Sequence, residues 1–313
     1  MLVVEDFNKL PTDLPPSILT VGVFDGIHVG HQEILKQIVS RSRATSSTAG
    51  LLTFSPHPRK IIASGEAPPS LQTTKQKTEM LSDAGIDLLI RIPFTRRLSL
   101  YTPEKFLKKI LFHPQTKEIY VGSNFRFGHR RTGNFELLKG MGDTHGIHVG
   151  MIKRIKLNGH RVSSTLVRKA VRNGDLGSAT HMLGRPYQIR GTIIRGEGRG
   201  QKLGFPTANI KVENELVPLP GVYVTVSEVN GLKYPSVTNV GYRPTVQTQL
   251  THDQPVVESH LLEHSTNLYG LPIRTDFLAR LRSERKFDSL DSLQLQIDKD
   301  VKTATAYFKE SLS

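Results

Sequence analysis

Gly22-Val-Phe-Asp-Gly-Ile-His-Val-Gly-His31 decides the reading of this 313-residue chain. The stretch follows an apolar, strand-like run over 18–23 and opens a helical pattern at His31. Its glycines, Gly22, Gly26 and Gly30, let backbone approach a ligand closely. His28 and His31 stand three residues apart where a strand hands over to a helix. A helix N-terminus carries unpaired N–H groups and partial positive charge, so anions bind there. Two imidazoles aimed the same way suit a nucleotide's phosphates. The stretch predicts chemistry on a phosphoanhydride.

The same alternation extends outward through the first half. Apolar, β-rich runs fall at 18–24, 51–54, 86–92, 118–122 and 147–155. Helix-period segments lie between them, at 32–39, 74–81, 103–111 and 134–139. Thr102 before Pro103 predicts a cap followed by an N1 proline. This order implies a parallel sheet covered on both faces, with ligands beyond the carboxyl ends of its strands. The motifs at 22–31, 55–58 and 122–128 each follow a candidate strand, so three loops distant in sequence should meet on one rim.

The grammar changes near Leu183-Gly-Arg-Pro-Tyr187. Val222, Val224 and Val226 alternate with Tyr223 and Thr225, the period of a strand. Segments 188–195, 234–240 and 256–262 are further strand candidates, punctuated by glycine, proline and asparagine. Short strands with turn signals predict an antiparallel barrel or sandwich. Leu290, Leu293, Ile297, Val301 and Phe308 then recur at helical spacing, a stripe expected to pack on the barrel.

A hydrophobic content of 37% with 22% charged residues fits a globular chain of about two domains. No basic segment followed by an apolar run begins the sequence, so no secretory signal is expected. The apolar run at 88–94 is short and broken by Arg91, which argues against a membrane span. The absence of cysteine excludes disulfides and thiolate chemistry. A cytoplasmic location is expected. The net charge of +14 allows three readings: a nucleic-acid surface, a field that draws in polyanionic substrates, or a solvated basic exterior. Basic residues are spread along the chain, in short clusters such as Arg96-Arg97, and no basic tail appears.

His28 and His31 have three readings: metal ligands, hydrogen-bonded core histidines, or phosphate contacts. With no cysteine, and with only Asp25 and Glu33 as nearby carboxylates, phosphate contact is preferred to zinc. Ser163, Ser164 and Thr165 precede a helical stretch. One hydroxyl would suffice as a cap. Arg168, a turn further on, could reach the same anion through paired N–H groups. In Val121-Gly-Ser-Asn-Phe-Arg-Phe-Gly128 the asparagine and aromatics could hold a base or ribose, or form a turn with two core phenylalanines.

In the second half, residues 191–209 are dense in glycine but contain no GK[ST] phosphate loop. They read either as a glycine-rich hairpin or as a ligand loop. Thr207 and Asn209, after the rigid Pro206, offer a hydroxyl and an amide oxygen that could share Mg²⁺ with nucleotide phosphates. Glu258 lies in a strand-like run with the parity of Val256, His260 and Leu262. It is either an outward-facing glutamate or a base facing a substrate hydroxyl.

Four ordered blocks, GVFDGIHVGH (22–31), TFSPHP (53–58), VGSNFRFG (121–128) and VSSTLVRKAVRNGD (162–175), resemble the FMN adenylyltransferase module of prokaryotic bifunctional riboflavin kinase/FAD synthetases. The blocks GRGQKLGFPTANI (198–210), LPGVYVTV (219–226), NVGYRPTV (239–246), VESHLLEHSTNLYG (257–270) and RSERKFDSL (282–290) resemble the riboflavin kinase module of the same family. The resemblance covers nearly the whole chain. It implies a Rossmann-like nucleotidyltransferase domain over 1–183, a linker at 184–187, and a six-stranded antiparallel β-barrel with a terminal helix over 188–313. It further implies that riboflavin is phosphorylated to FMN and that FMN is adenylylated to FAD with release of pyrophosphate.

The same resemblance makes His28, His31 and Arg168 catalytic in adenylylation, with Gly22, Phe24, Asp25, Gly30, Asn124, Arg126, Ser163, Ser164 and Thr165 around the nucleotide. It makes Glu258 the general base of the kinase and gives Thr207 and Asn209 to Mg²⁺. Gly196, Gly198, Arg199, Lys202, Gly204, Phe205, Pro206 and Arg285 are then expected around nucleotide and flavin. Gln201 departs from the usual spacing of the glycine block, so either Arg199 or Lys202 faces phosphate. The implied ligands are riboflavin, FMN, FAD, ATP, ADP and pyrophosphate, with no nucleic acid and no membrane. Two rivals stand beside this reading. In one, a single module is active and the other binds flavin for regulation. In the other, the protein binds nucleic acid through a basic barrel, against which the absence of tryptophan weighs.

Overall fold

The computed structural model describes all residues except 7–8, 12, 63–66, 153–155, 158–159, 243–254, 263–267 and 313, and not the side chains of 156, 157, 160, 161, 199, 202, 311 and 312. The chain forms two compact units. One comprises Met1–Ser70 and Thr74–Ser163, the other Leu71–Thr73 and Ser164–Ser313.

The first unit is built on β1 (Leu2–Val4), β2 (Ser17–Val21), β3 (Thr48–Ser55), β4 (Leu88–Pro93), β5 (Thr116–Gly122) and β6 (His148–Ile152). All are parallel, in the order β1-β4-β3-β2-β5-β6. Between them run α1 (Val29–Ala44), α2 (Pro58–Ile62), α3 (Thr74–Asp83), α4 (Arg96–Ser99), α5 (Pro103–Phe106) and α6 (Phe135–Thr144). Successive strand residues point to opposite faces, and both faces are apolar. Leu19, Leu52 and Ile90 enter one core with Phe106, Leu107 and Leu138. Ile18, Leu51 and Leu89 enter the other with Leu35, Ile38 and Leu81. This is the two-sided burial that the apolar runs predicted.

Local signals place the helix starts. Thr102 caps α5 by accepting from Lys105 N at 3.3 Å, with Pro103 at the first position. Asn134 caps α6 by accepting from Leu137 N at 2.9 Å. The helix expected over 103–111 is α5 continued by a π-helical turn, Leu107–Leu111. Strand β1 was not anticipated, because three residues are too few for a period to show. Of the strand expected over 147–155, residues 153–155 lie outside the described residues.

The chain reverses direction across the sheet between β2 and β5, the switch point at which such sheets bind ligands. Strands β3, β2 and β5 are adjacent and parallel. The three motif loops therefore leave neighbouring strands at one edge, as expected.

A short hairpin pairs β7 (Lys156–Leu157) with β8 (His160–Arg161). The second unit continues with α7 (Ser164–Arg172) and α8 (Leu176–Leu183), which ends at Gly184 in the left-handed conformation, φ 69°. Then come β9 (Tyr187–Ile194), α9 (Arg199–Lys202), β10 (Ala208–Val212), β11 (Gly221–Val229), β12 (Leu232–Tyr242), β13 (Pro255–Leu261), β14 (Pro272–Arg282) and α10 (Leu290–Leu312). The six strands β9 to β14 close an antiparallel barrel in the order β10-β13-β12-β11-β14-β9. Val167, Val171, Leu176, Ala179 and Leu183 share one core with Ile189, Tyr223 and Phe277, so α7 and α8 fold with the barrel.

Part of the barrel interior is polar. Thr225, Ser227, Ser236, Thr238, Ser259 and Thr275 are fully buried. Their hydroxyls bond one another: Thr225 to Ser236 at 2.9 Å and to Thr238 at 2.7 Å, Ser227 to Ser236 at 2.9 Å and to Ser259 at 3.0 Å. Thr238 donates to Ser259 at 2.9 Å. On the outer face, α10 covers Val222, Val224 and Val237 with Ala304, Val301 and Phe308. Leu290, expected in that stripe, is instead 68% exposed, because it is the first residue of α10. Among the described residues no helix is long and apolar enough to cross a membrane.

Candidate active sites

The segment from β2 to α1 is a tight loop. Phe24 (φ 47°), Gly26 (φ 83°) and Ile27 (φ 39°) are all left-handed. For Phe24 and Ile27 this costs on the order of 1–2 kcal/mol each. Both side chains are buried in the core below, which returns about 1.5–3 kcal/mol apiece. Burial therefore holds the loop in a shape that its backbone alone would not keep.

His28 is the N-cap of α1, and its Nδ1 accepts from His31 N at 3.3 Å. The helix thus begins at Val29, two residues before the sequence pattern placed it. The His28 and His31 rings stack 3.7 Å apart at 13°, and Phe24 flanks His31 at 4.6 Å. A Cβ on Gly30 would lie 3.3 Å from the His28 ring, so this position favours glycine. Burial first, then the nearby His28 and Lys77, holds the His31 imidazole well below its usual range. Its buried Nδ1 has no hydrogen-bond partner among the described residues. Asp25 is buried at the loop's centre.

Lys77, on α3, was missed by sequence reasoning. Its ammonium donates to Val23 O and, at 2.7 Å, to Thr53 Oγ1. Burial pulls its pKa down to about 8, opposed by Asp25 and reinforced by Arg91.

Beyond β5, Asn124 and Arg126 are exposed. The Asn124 side chain folds back over Gly122, whose added Cβ would stand 3.5 Å from Asn124 Oδ1. Phe127 is core and Phe125 packs against it, with ring centroids 5.3 Å apart. Ser163 ends the first unit. Ser164, Thr165 and Arg168 lie on α7 in the second, with Arg168 buried.

The barrel carries the second cluster. Strand register aligns Asn209 of β10, Glu258 of β13 and Asn239 of β12 in one row. All three are half-buried, while Val257, Ser259 and Leu261 between them point into the barrel. Glu258 therefore stands on the outer face between two carboxamides. Asn239 was quoted in a block but given no role. Only strand pairing reveals it.

The glycine loop lies against this face. His260 Nδ1 is 2.8 Å from Pro206 O, and its ring meets Phe205 edge-on at 5.6 Å. A Cβ on Gly196 would fall 2.2 Å from Asn209 Nδ2. One on Gly200 would fall 2.4 Å from Phe205 O and 3.2 Å from Thr207 Oγ1. Gly198 (φ 70°) and Gly204 (φ 85°) take left-handed turns. The backbone is thus drawn close around the Thr207 and Asn209 oxygens. The side chains of Arg199 and Lys202, expected at phosphate, lie outside the described residues. Arg285 follows β14, donates to Gln296 of α10, and sits 4.8 Å over the Phe287 ring.

Comparison with known proteins agrees with these two clusters. Residues 10–166 match the FAD synthetase family and residues 183–308 the riboflavin kinase family. The chain is similar to the bifunctional riboflavin kinase/FMN adenylyltransferase of Haemophilus influenzae, 36% identical over 93% of this chain and 94% of that one. The Escherichia coli K12 protein of the same name is 35% identical over 93% and 92%. The Bacillus subtilis protein of that name is 32% identical over 93% and 92%. A solved structure described as a macrolide-efflux protein from Streptococcus pneumoniae superposes with a TM-score of 0.87, covering 97% of this chain and 98% of that one at 26% identity. With both halves matched in order and nearly the whole length aligned, the chain belongs to the bifunctional riboflavin kinase/FMN adenylyltransferase family.

Proposed function

We infer that this chain makes both flavin cofactors: its barrel phosphorylates riboflavin to FMN with ATP, and its parallel-sheet part adenylylates FMN to FAD. The observation that carries the reading is the pair of family matches on one chain, each spanning a cluster of its own. We assign adenylylation to residues 1–183 and phosphorylation to 188–313, with 184–187 as linker. Both reactions belong in the cytoplasm, with ATP as donor and ADP and pyrophosphate as leaving products.

In adenylylation an oxygen of the FMN phosphate attacks the α-phosphorus of ATP, and the bond to pyrophosphate breaks. No protein nucleophile is needed, so the chain must position two phosphates and meet the developing charge. His28 caps α1 through its Nδ1, which fixes its ring at the helix start. His31 stacks on it in the first turn of α1, whose N-terminus favours anions. Gly22 and Gly30 give close approach, while Phe24 and Asp25 shape the loop. Asn124 and Arg126 lie at the neighbouring strand end for the nucleoside part. For Ser163, Ser164, Thr165 and Arg168 the resemblance implies phosphate binding.

In phosphorylation Glu258 accepts the proton of the ribityl 5′-hydroxyl as that oxygen attacks the γ-phosphorus, and ADP leaves. Asn209 and Asn239 flank Glu258 in the strand register. Thr207 and Asn209 are hard oxygen donors beside glycines that a Cβ could not replace, a donor set that fits Mg²⁺. When bound, Mg²⁺ would neutralise nucleotide phosphate charge. The backbone of Gly196, Gly198, Gly204, Phe205 and Pro206 lines the nucleotide. Arg199 or Lys202 supplies a cation to phosphate, and Arg285 supports the flavin.

Incubation with riboflavin, ATP and Mg²⁺, followed by chromatography of the flavins, tests the reading. FMN and then FAD should accumulate. FMN without FAD, or neither, would refute the dual assignment.

A further inference from the structure

Lys77 takes no part in the reactions as derived so far, yet its surroundings are built around it. Its ammonium and the Thr53 hydroxyl, 2.7 Å apart, both donate to Val23 O, Thr53 at 3.1 Å. Thr53 is buried on β3, the strand beside β2. Val23 directly precedes Phe24, the first left-handed residue of the loop that carries His28. Lysine thereby ties the start of this loop to the neighbouring strand. The charged and titratable groups that act on Lys77 and the histidines come from each adjoining element: Asp25 in the loop, Arg91 on β4, and His28 and His31 at the start of α1. Arg91 is itself paired with Glu5 beyond β1. A lysine placed here pays desolvation that an apolar residue would avoid.

We propose that Lys77 is a positioning residue for FMN adenylylation, fixing Val23 so that the stacked His28–His31 pair meets the transferring phosphate. The proposal rests on the reading that this pair acts on phosphate. Burial lowers the Lys77 pKa to about 8, which leaves it charged at neutral pH, the state in which its ammonium donates to both Val23 O and Thr53.

Lys77→Met and Lys77→Arg test it. FAD formation from supplied FMN should fall about a hundredfold in kcat in Lys77→Met, with KM values little changed. Riboflavin phosphorylation serves as the internal control and should hold. Histidine Cε1 resonances give a readout that a purely structural role would not move. The His31 signal, assigned by its loss in His31→Ala, should shift in Lys77→Met as the stacked rings move and keep its wild-type position in Lys77→Arg. Wild-type FAD formation in Lys77→Met, or an unmoved His31 signal, overturns the proposal. Should Lys77→Met fail to fold, Thr53→Val decides. Losing that anchor should lower kcat about tenfold, and a wild-type rate overturns the proposal. If His28→Ala and His31→Ala keep full FAD formation, the phosphate reading itself fails. If they lose it while Lys77→Met does not, only the role of Lys77 fails.

Discussion

Lys77 and His31 stand half-buried under the β2–α1 loop of the parallel-sheet unit, where desolvation makes both bind protons less tightly than usual. Glu258, Asn209 and Asn239 stand half-buried along one row of the barrel's outer face. The difference follows from what each reaction asks. Adenylylation meets developing charge on phosphate, which fixed donors stabilise without reorganising. Phosphorylation must take up a proton and later release it, the work of a carboxylate. The first site is accordingly held by backbone strain and core burial, the second by strand register and a glycine loop.

The comparison can be broken most sharply at Glu258. Glu258→Gln keeps the shape and removes the base, and should lower riboflavin phosphorylation by about 10²–10⁴-fold. FAD formation from supplied FMN should be unchanged. Unimpaired phosphorylation would make Glu258 an ordinary strand carboxylate.

His28→Ala or His31→Ala should cost FAD formation about 10²–10³-fold, the range for one preorganised contact at developing charge. Riboflavin phosphorylation in the same sample should persist. A parallel loss of both activities in folded protein would show that the two clusters are not separate machines.

Separate expression sharpens the contrast further. The apolar residues of α7 and α8 share the barrel core, so a fragment beginning at Ser164 should phosphorylate riboflavin and make no FAD. A fragment beginning at Gln188 exposes that core and should melt at least ~5 °C lower. Equal melting temperatures would mean that α7 and α8 contribute nothing to the barrel's stability.

The smallest effect concerns pH. His31 binds its proton less readily folded than unfolded, so below about 6.5 the unfolded chain takes up more protons. Its share of stability is present above that pH and is lost as the pH falls, by at most about 1.4 kcal/mol per pH unit. Lys77 acts in the alkaline range. The unfolded side chain keeps its proton to 10.5 and the folded one loses it near 8, so stability rises with pH between the two. Melting curves of wild type and His31→Gln from pH 7 to 5 should converge as the pH falls, and parallel curves would contradict the buried imidazole.

What the sequence made legible was local or periodic. The 22–31 loop, the cap at Thr102 and the two grammars of strand follow from short-range rules, and the structure bears them out. What it hid depends on partners far along the chain. Lys77 looks like one more cation on a helix until Val23 and Thr53 are seen at its end. Asn239 gains a role only through the register of β12 on β13, and His260 only through Pro206, 54 residues earlier. Strands β10 and β14 were also not singled out by residue pattern, since β10 lies inside the glycine block and β14 mixes charged with apolar side chains. Leu290 kept the helical period but fell on the first turn, where period does not guarantee burial.

The hydroxyl cluster inside the barrel has a consequence for inheritance. Thr225, Ser236, Ser227, Ser259 and Thr238 close a ring of hydroxyl bonds that Thr275 joins at Ser227, so one valine takes a bond from each neighbour and valines on both sides of a ring hydroxyl remove its bonds around the ring. A buried polar group left this way costs about 1–3 kcal/mol, whereas exchanging all partners for apolar groups of the same shape can be nearly neutral. Intermediate sequences are therefore worse than either end. Lineages that carry this barrel should keep the six positions polar as a block or convert them together, with few halfway forms surviving between.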